Sequence, residues 1–146
     1  MTVTVKNLTV NEGIAAAEKI LSLPEADRPD AVFATNDMVA VGALNFFLLA
    51  GIRIPEDIAI VGYDDVQYAR HAAVALTTVR QPAYEMGRAA GQQLLGQVER
   101  PGGREVQHRV FAATLVVRDS TAGRTTPRTD PGRAGRDVSP RDTHSM

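Results

Sequence analysis

The 146-residue sequence contains no cysteine and no tryptophan. Without thiols there is no disulfide framework, no thiolate nucleophile and no cysteine-based zinc site, a pattern that fits a reducing cytoplasm. Aromatic residues make up only 5%, and Lys6 and Lys19 are the only lysines. Sixteen basic residues stand against 17 acidic ones, so there is no general basic surface for nucleic acid. No apolar run approaches the ~18 residues of a membrane span, and the first residues lack the basic and apolar regions of an export signal. The expectation is a soluble cytoplasmic protein with no membrane partner. What remains is ordinary globular composition, 44% hydrophobic and 23% charged.

Composition shifts near Ser120. Residues 123–146 hold five arginines, three aspartates and almost nothing to bury, and are expected to form a disordered tail. Before it, strands and helices alternate. Thr9 or Asn11 can cap a helix with Ile14, Ala17, Ile20 and Leu21 on one face, ending before Pro24. Ala31 to Thr35 is a short apolar run of the kind buried on both faces of a parallel sheet. A helix from Met38 to Ala50 is apolar around most of its circumference, stops at Gly51 and needs covering on two sides. Ile58 to Tyr63 reads as a second buried strand. Leu76 to Val79 reads as a third, and a last strand spans about Val110 to Val117. Between these two, a helix over about 82–98 carries Tyr84, Gly87, Gly91, Leu94, Leu95 and Val98 at inward spacing. The fold class is α/β, an open and mostly parallel sheet with helices on both faces.

In such sheets ligands bind beyond the carboxyl ends of the strands. Asn36-Asp37 and Asp64-Asp65 both fall there. Asn36 and Asp37 read as helix caps or as ligand contacts. Asp64-Asp65 reads as a turn, a magnesium site, or carboxylates accepting from ligand hydroxyls. Gln81, just after the third strand, can donate to and accept from a polyol. The histidines have no partners at metal spacing, so no metal site is assigned. No nucleophile elbow, phosphate-cradling loop or dinucleotide fingerprint is present, so no catalytic residue and no cofactor is assigned. The chemistry is binding.

Five segments in order carry a resemblance. Arg28-Pro29-Asp30-Ala31-Val32-Phe33-Ala34-Thr35-Asn36-Asp37-Met38-Val39-Ala40-Val41-Gly42-Ala43-Leu44 is the first, and the run from Gly51 to Asp65 containing Ile60-Val61-Gly62-Tyr63-Asp64-Asp65 is the second. Leu76-Thr77-Thr78-Val79-Arg80-Gln81-Pro82, Glu85-Met86-Gly87-Arg88-Ala89-Ala90 and Leu115-Val116-Val117-Arg118-Asp119-Ser120-Thr121 follow. Together they resemble the lactose-repressor (LacI/GalR) family of transcription regulators over about Gly13 to Ala122.

The resemblance implies a two-lobed effector sensor, like a periplasmic sugar-binding protein, behind a helix-turn-helix that binds operator DNA. This chain resembles only the C-terminal part of that sensor. Residues 1–122 are expected to form a partial effector-binding and dimerisation domain, with the helix at about 82–98 belonging to an otherwise missing N-terminal lobe and so left uncovered. Operator DNA would be bound only through a segment absent from these residues. Carried over one at a time, Asp64 and either Asn36 or its neighbour Asp37 match positions that contact a small polar effector, a sugar or related metabolite, and Gln81 matches a crossover residue near the same cleft. Phe33 could stack on its face or pack in the core. Met38, Val41, Leu44, Phe47 and Leu48 fall on the family's dimer helix, implying a homodimer or pairing with an intact relative. One departure is Ala73-Val74-Ala75, where many members have two prolines. The rival expectations are a sugar-binding protein of an importer and a non-functional truncated gene product.

Overall fold

A computed structural model describes residues 1–99 and 108–123. The expected tail, apart from Gly123, lies outside the described residues. So does the Pro101-Gly102-Gly103 terminus expected for the long helix.

The first helix, α1, spans Val10–Leu21. Of its two candidate caps, Thr9 acts: its hydroxyl accepts from the Glu12 amide, satisfying a donor the first turn leaves unpaired. After a short 3-10 turn at Glu25–Asp27 come β1 (Ala31–Phe33) and α2 (Asp37–Leu49). The end of α2 follows from Gly51, whose φ of 77° suits glycine. The Gly51 amide donates to the Leu48 carbonyl (3.0 Å) and the Ile52 amide to that of Phe47 (2.9 Å). This paired capping closes the last carbonyls of the helix. β2 (Ala59–Tyr63), α3 (Gln67–His71), β3 (Thr77–Arg80), α4 (Ala83–Glu99) and β4 (Thr114–Val116) complete the described elements.

The sheet order is β1-β2-β3-β4. β1 and β2 run parallel with Val32 opposite Ile60, as do β2 and β3 with Gly62 opposite Thr78. β4 closes the edge antiparallel, Val79 facing Leu115. The α/β class and open, mostly parallel sheet are as expected. β1 is not buried on both faces, however. It forms an edge of the sheet, and Ala31 and Phe33 are exposed.

The two-sided cover that α2 requires comes from α1 and β2. The helices touch through glycine on each side. A Cβ on Gly13 would collide with the Val39 carbonyl, and one on Gly42 with that of Val10, so each absent side chain admits the opposite backbone. Ala17, Ile20, Ala43, Leu44, Phe47, Ile58, Ile60 and Leu76 build the core around this contact. At 25 cal/mol per Å² such burial is the main favourable term of the fold.

Ser120 fastens the end of the described chain into the sheet. Fully buried, its hydroxyl accepts from the Thr77 amide (2.8 Å) and donates to the Ile60 carbonyl (2.6 Å). Its own carbonyl accepts from the Ile60 amide (3.1 Å).

The helix α4 is the exception. Tyr84, Leu94, Leu95 and Val98, expected to point inward, are exposed, and α4 has no substantial packing partner among the described residues. The periodicity marked an apolar face correctly, but among the described residues no surface covers it.

Candidate functional site

Parallel pairing of β1, β2 and β3 brings the residues after all three strands to one edge of the sheet. The predicted polar residues gather there, with different roles.

Asn36 is the N-cap of α2. Its Oδ1 accepts from the Val39 amide (2.9 Å) and its Nδ2 donates to the Leu8 carbonyl (3.3 Å), so both ends of the amide hold the fold. Asp37 is buried, not lining a cleft. Its two oxygens accept from the Thr78 hydroxyl (2.6 Å) and the Val66 amide (2.9 Å), tying α2 to β3 and to the loop after β2. Gly62 makes that approach possible, because a Cβ there would strike the carboxylate. Burial pushes the Asp37 carboxyl above its usual range, against the pull of these hydrogen bonds, and the charges of Asp64 and Asp65 push the same way. For Asn36 the helix-cap reading is met, and the polar atoms of both residues serve the helix start and the sheet.

Asp64 and Gln81 do come together. Gln81 Nε2 donates to Asp64 Oδ1 at 2.7 Å, and the Asp64 amide donates to the Val79 carbonyl at 2.9 Å. Asp64 has φ 112° and Asp65 φ 54°, two successive residues in the left-handed region. Such backbone costs on the order of 1–3 kcal/mol per residue and persists only where surroundings hold it.

The surroundings that hold it are residues the sequence reading did not single out. The Asp65 side chain, 2% exposed, meets three arginines. Arg80 Nε donates to Oδ2 at 2.6 Å, Arg118 Nη2 donates to Oδ1, and Arg70 lies 3.6 Å from Oδ2. Its amide donates to the Thr78 hydroxyl (3.3 Å), the same hydroxyl that donates to Asp37. Burial alone would raise the Asp65 carboxyl, but the hydrogen bonds and charges of Arg118 and Arg80 outweigh it and hold the group below the usual carboxylate range. Arg80 and Arg118 sit inside the segments quoted above, but only the folded chain reveals a shared carboxylate 53 residues from Arg118. With Asp65 paired in this way, the magnesium reading loses a ligand. Among the described residues no cluster of three metal-ligating side chains occurs.

Phe33 is not a core residue, at 64% exposed. It lines a groove of about 340 Å³ beside β1 with Val3, Ile20 and Ala43, a lining that does not include Asp64 or Gln81.

The expected dimer residues divide in two. Met38, Val41 and Leu48 are half-buried on α2. Leu44 and Phe47 are fully buried in the chain's own core, so the expectation that they face a partner is corrected. Among the described residues no helix is long and apolar enough to cross a membrane.

Known proteins resemble this arrangement. A family model described as a periplasmic binding protein-like domain matches residues 2–121. The HTH-type transcriptional repressor PurR of Vibrio vulnificus (strain CMCP6) is 40% identical over 116 residues, 78% of this chain and 33% of that protein. A putative transcriptional regulator of the LacI family from Sanguibacter keddieii DSM 10542 superposes with a TM-score of 0.77 at 35% identity, over 84% of this chain and 46% of that one. A LacI family transcriptional regulator from Lactobacillus casei, solved with bound sucrose, gives a TM-score of 0.66 at 40% identity, over 77% of this chain and 40% of that one. The chain spans about a third of the length of the curated relatives it matches.

Proposed function

Because the chain belongs to the LacI/GalR family of transcription regulators, within its periplasmic binding protein-like domain, we propose that it is an effector-sensing and dimerising portion of such a regulator. Its ligand is a sugar or a related small polar metabolite, contacted by Asp64 with Gln81 beside it. The observation that carries this reading is the Asp64–Gln81 pair on a strained turn at the carboxyl edge of a parallel sheet. A carboxylate there accepts from ligand hydroxyls, and a neighbouring amide can both donate and accept. Exposed Phe33 offers an apolar ring face at the same end of the sheet. Operator DNA is engaged through a DNA-binding segment outside these 146 residues, and the half-buried Met38, Val41 and Leu48 supply part of a surface for a second copy.

The test is calorimetric titration of the chain with ribose, glucose, sucrose and cellobiose. At least one should bind, and Asp64→Ala should weaken it tenfold or more, about 1.4 kcal/mol. Equal affinity in the variant would remove Asp64 from the site.

A further inference from the structure

We propose that Asp37 is a positioning residue for the effector contact: its ionised carboxylate holds the turn that carries Asp64 in shape, and its protonated form lets that turn go. The proposal rests on the reading of Asp64 given above. Its geometric basis is a bracket. Asp37 Oδ2 accepts from the Val66 amide (2.9 Å), while Oδ1 accepts from the Thr78 hydroxyl (2.6 Å), whose oxygen in turn accepts from the Asp65 amide (3.3 Å). One buried carboxylate on α2 thus governs, directly or through Thr78, the two amides that follow Asp64. Those amides belong to a stretch in which Asp64 and Asp65 take left-handed backbone, a shape that relaxes when its surroundings stop enforcing it.

Two influences on this carboxylate are at odds. Its hydrogen bonds suit the anion, which offers acceptors only and leaves the Thr78 hydroxyl, the Val66 amide and the Asp65 amide each with an acceptor. A proton adds a fourth donor to a set whose donors are already matched. On Oδ2 it faces the Val66 N–H, and on Oδ1 it reverses the Thr78 hydrogen bond and takes Asp37 away as the acceptor for that hydroxyl. The surroundings suit the neutral form instead. Asp37 is 1% exposed, Gly62 of β2 and Thr78 of β3 close over it, and the charges acting on it are those of Asp64 and Asp65, both of its own sign. Arg70 of α3, Arg80 and Arg118 are directed at Asp65. Asp37 consequently takes up its proton above the usual carboxylate range, in a place where the hydrogen bonding is built for the anion.

The test is a pH titration of the chain followed by nuclear magnetic resonance. The Asp37 carboxyl carbon and the amide protons of Asp65 and Val66 should move together with one midpoint. Asp37→Asn, whose amide stands in for the protonated carboxyl, should remove that step from both amides. If this variant does not fold, Thr78→Val serves: the Val66 amide should still follow Asp37 and the Asp65 amide should not. Amides that ignore the Asp37 titration overturn the proposal. Whichever of ribose, glucose, sucrose and cellobiose binds by calorimetry should lose about twofold or more in affinity from pH 7.5 to pH 5, because proton and sugar oppose one another reciprocally. Asp37→Asn should lack that part of the pH dependence, and an equal dependence in parent and variant also overturns the proposal. If none of the sugars binds, the effector reading fails while the two amides still decide whether Asp37 governs the turn.

Discussion

The residues before Arg80 and the described ones between Gln81 and Val117 treat the same kind of side chain in opposite ways. In the first region Leu44, Phe47, Ile60 and Leu76 are shut away, while in the second Tyr84, Leu94, Val98 and Val110 stand in solvent. Both regions show regular spacing of apolar residues. Spacing therefore identifies which side of an element is apolar, and only the presence of a second surface decides whether that side is buried.

The sharpest way to break this contrast is to truncate one large side chain in each region. Phe47→Ala should lower unfolding free energy by about 3–5 kcal/mol, the range for a fully buried aromatic, whereas Leu94→Ala should stay within about 0.5 kcal/mol. Urea melts followed by circular dichroism measure both, and equal effects would mean that α4 is packed in solution.

Next in size is the tie between the regions. Asp65→Asn leaves Arg118 enclosed without its anion and should cost about 3 kcal/mol at pH 7. The folded-state pKa of Asp65 lies below its unfolded value. Its contribution is thus fully present above the unfolded pKa and is lost as pH falls through the folded one. Parent and variant should converge in stability as the pH drops below the usual carboxylate range, and a constant gap from pH 7 to pH 3 would contradict that sign.

The smallest effects should differ in direction. Gly13→Ala forces a methyl group into the Val39 carbonyl and should destabilise by about 1–3 kcal/mol. Gly91→Ala meets open space in the middle of α4 and should favour the helix by up to about 1 kcal/mol. Thermal melts for the first and helical ellipticity for the second are sufficient.

Local chemistry was readable from sequence. Thr9 as a cap, Gly51 as a helix stop and the β2 run each depend on a few neighbouring residues, and each is found where expected or as one of two stated choices. The pairing of Asp64 with Gln81 follows from strand order. Asp37 and Asp65 were different: nothing within five residues says that one carboxylate meets Thr78 and the other meets Arg118. Leu44 and Phe47 were placed at a partner because the resemblance makes α2 a dimer helix, and a helix apolar almost all round does not announce which neighbour takes which side.

Ser120 gives the fold a timetable. Its hydroxyl and carbonyl complete the hydrogen bonding of Ile60, 60 positions earlier, and of Thr77. During synthesis β2 and β3 leave the ribosome well before the residue that stitches their lower ends. Until Ser120 is made, the amide and carbonyl of Ile60 must find water or a surrogate, and the body can be no more than a partly closed sheet. Long-range closure of this kind is slow and exposes strand edges. The last described turn therefore closes hydrogen bonds that β2 and β3 leave open until it is made.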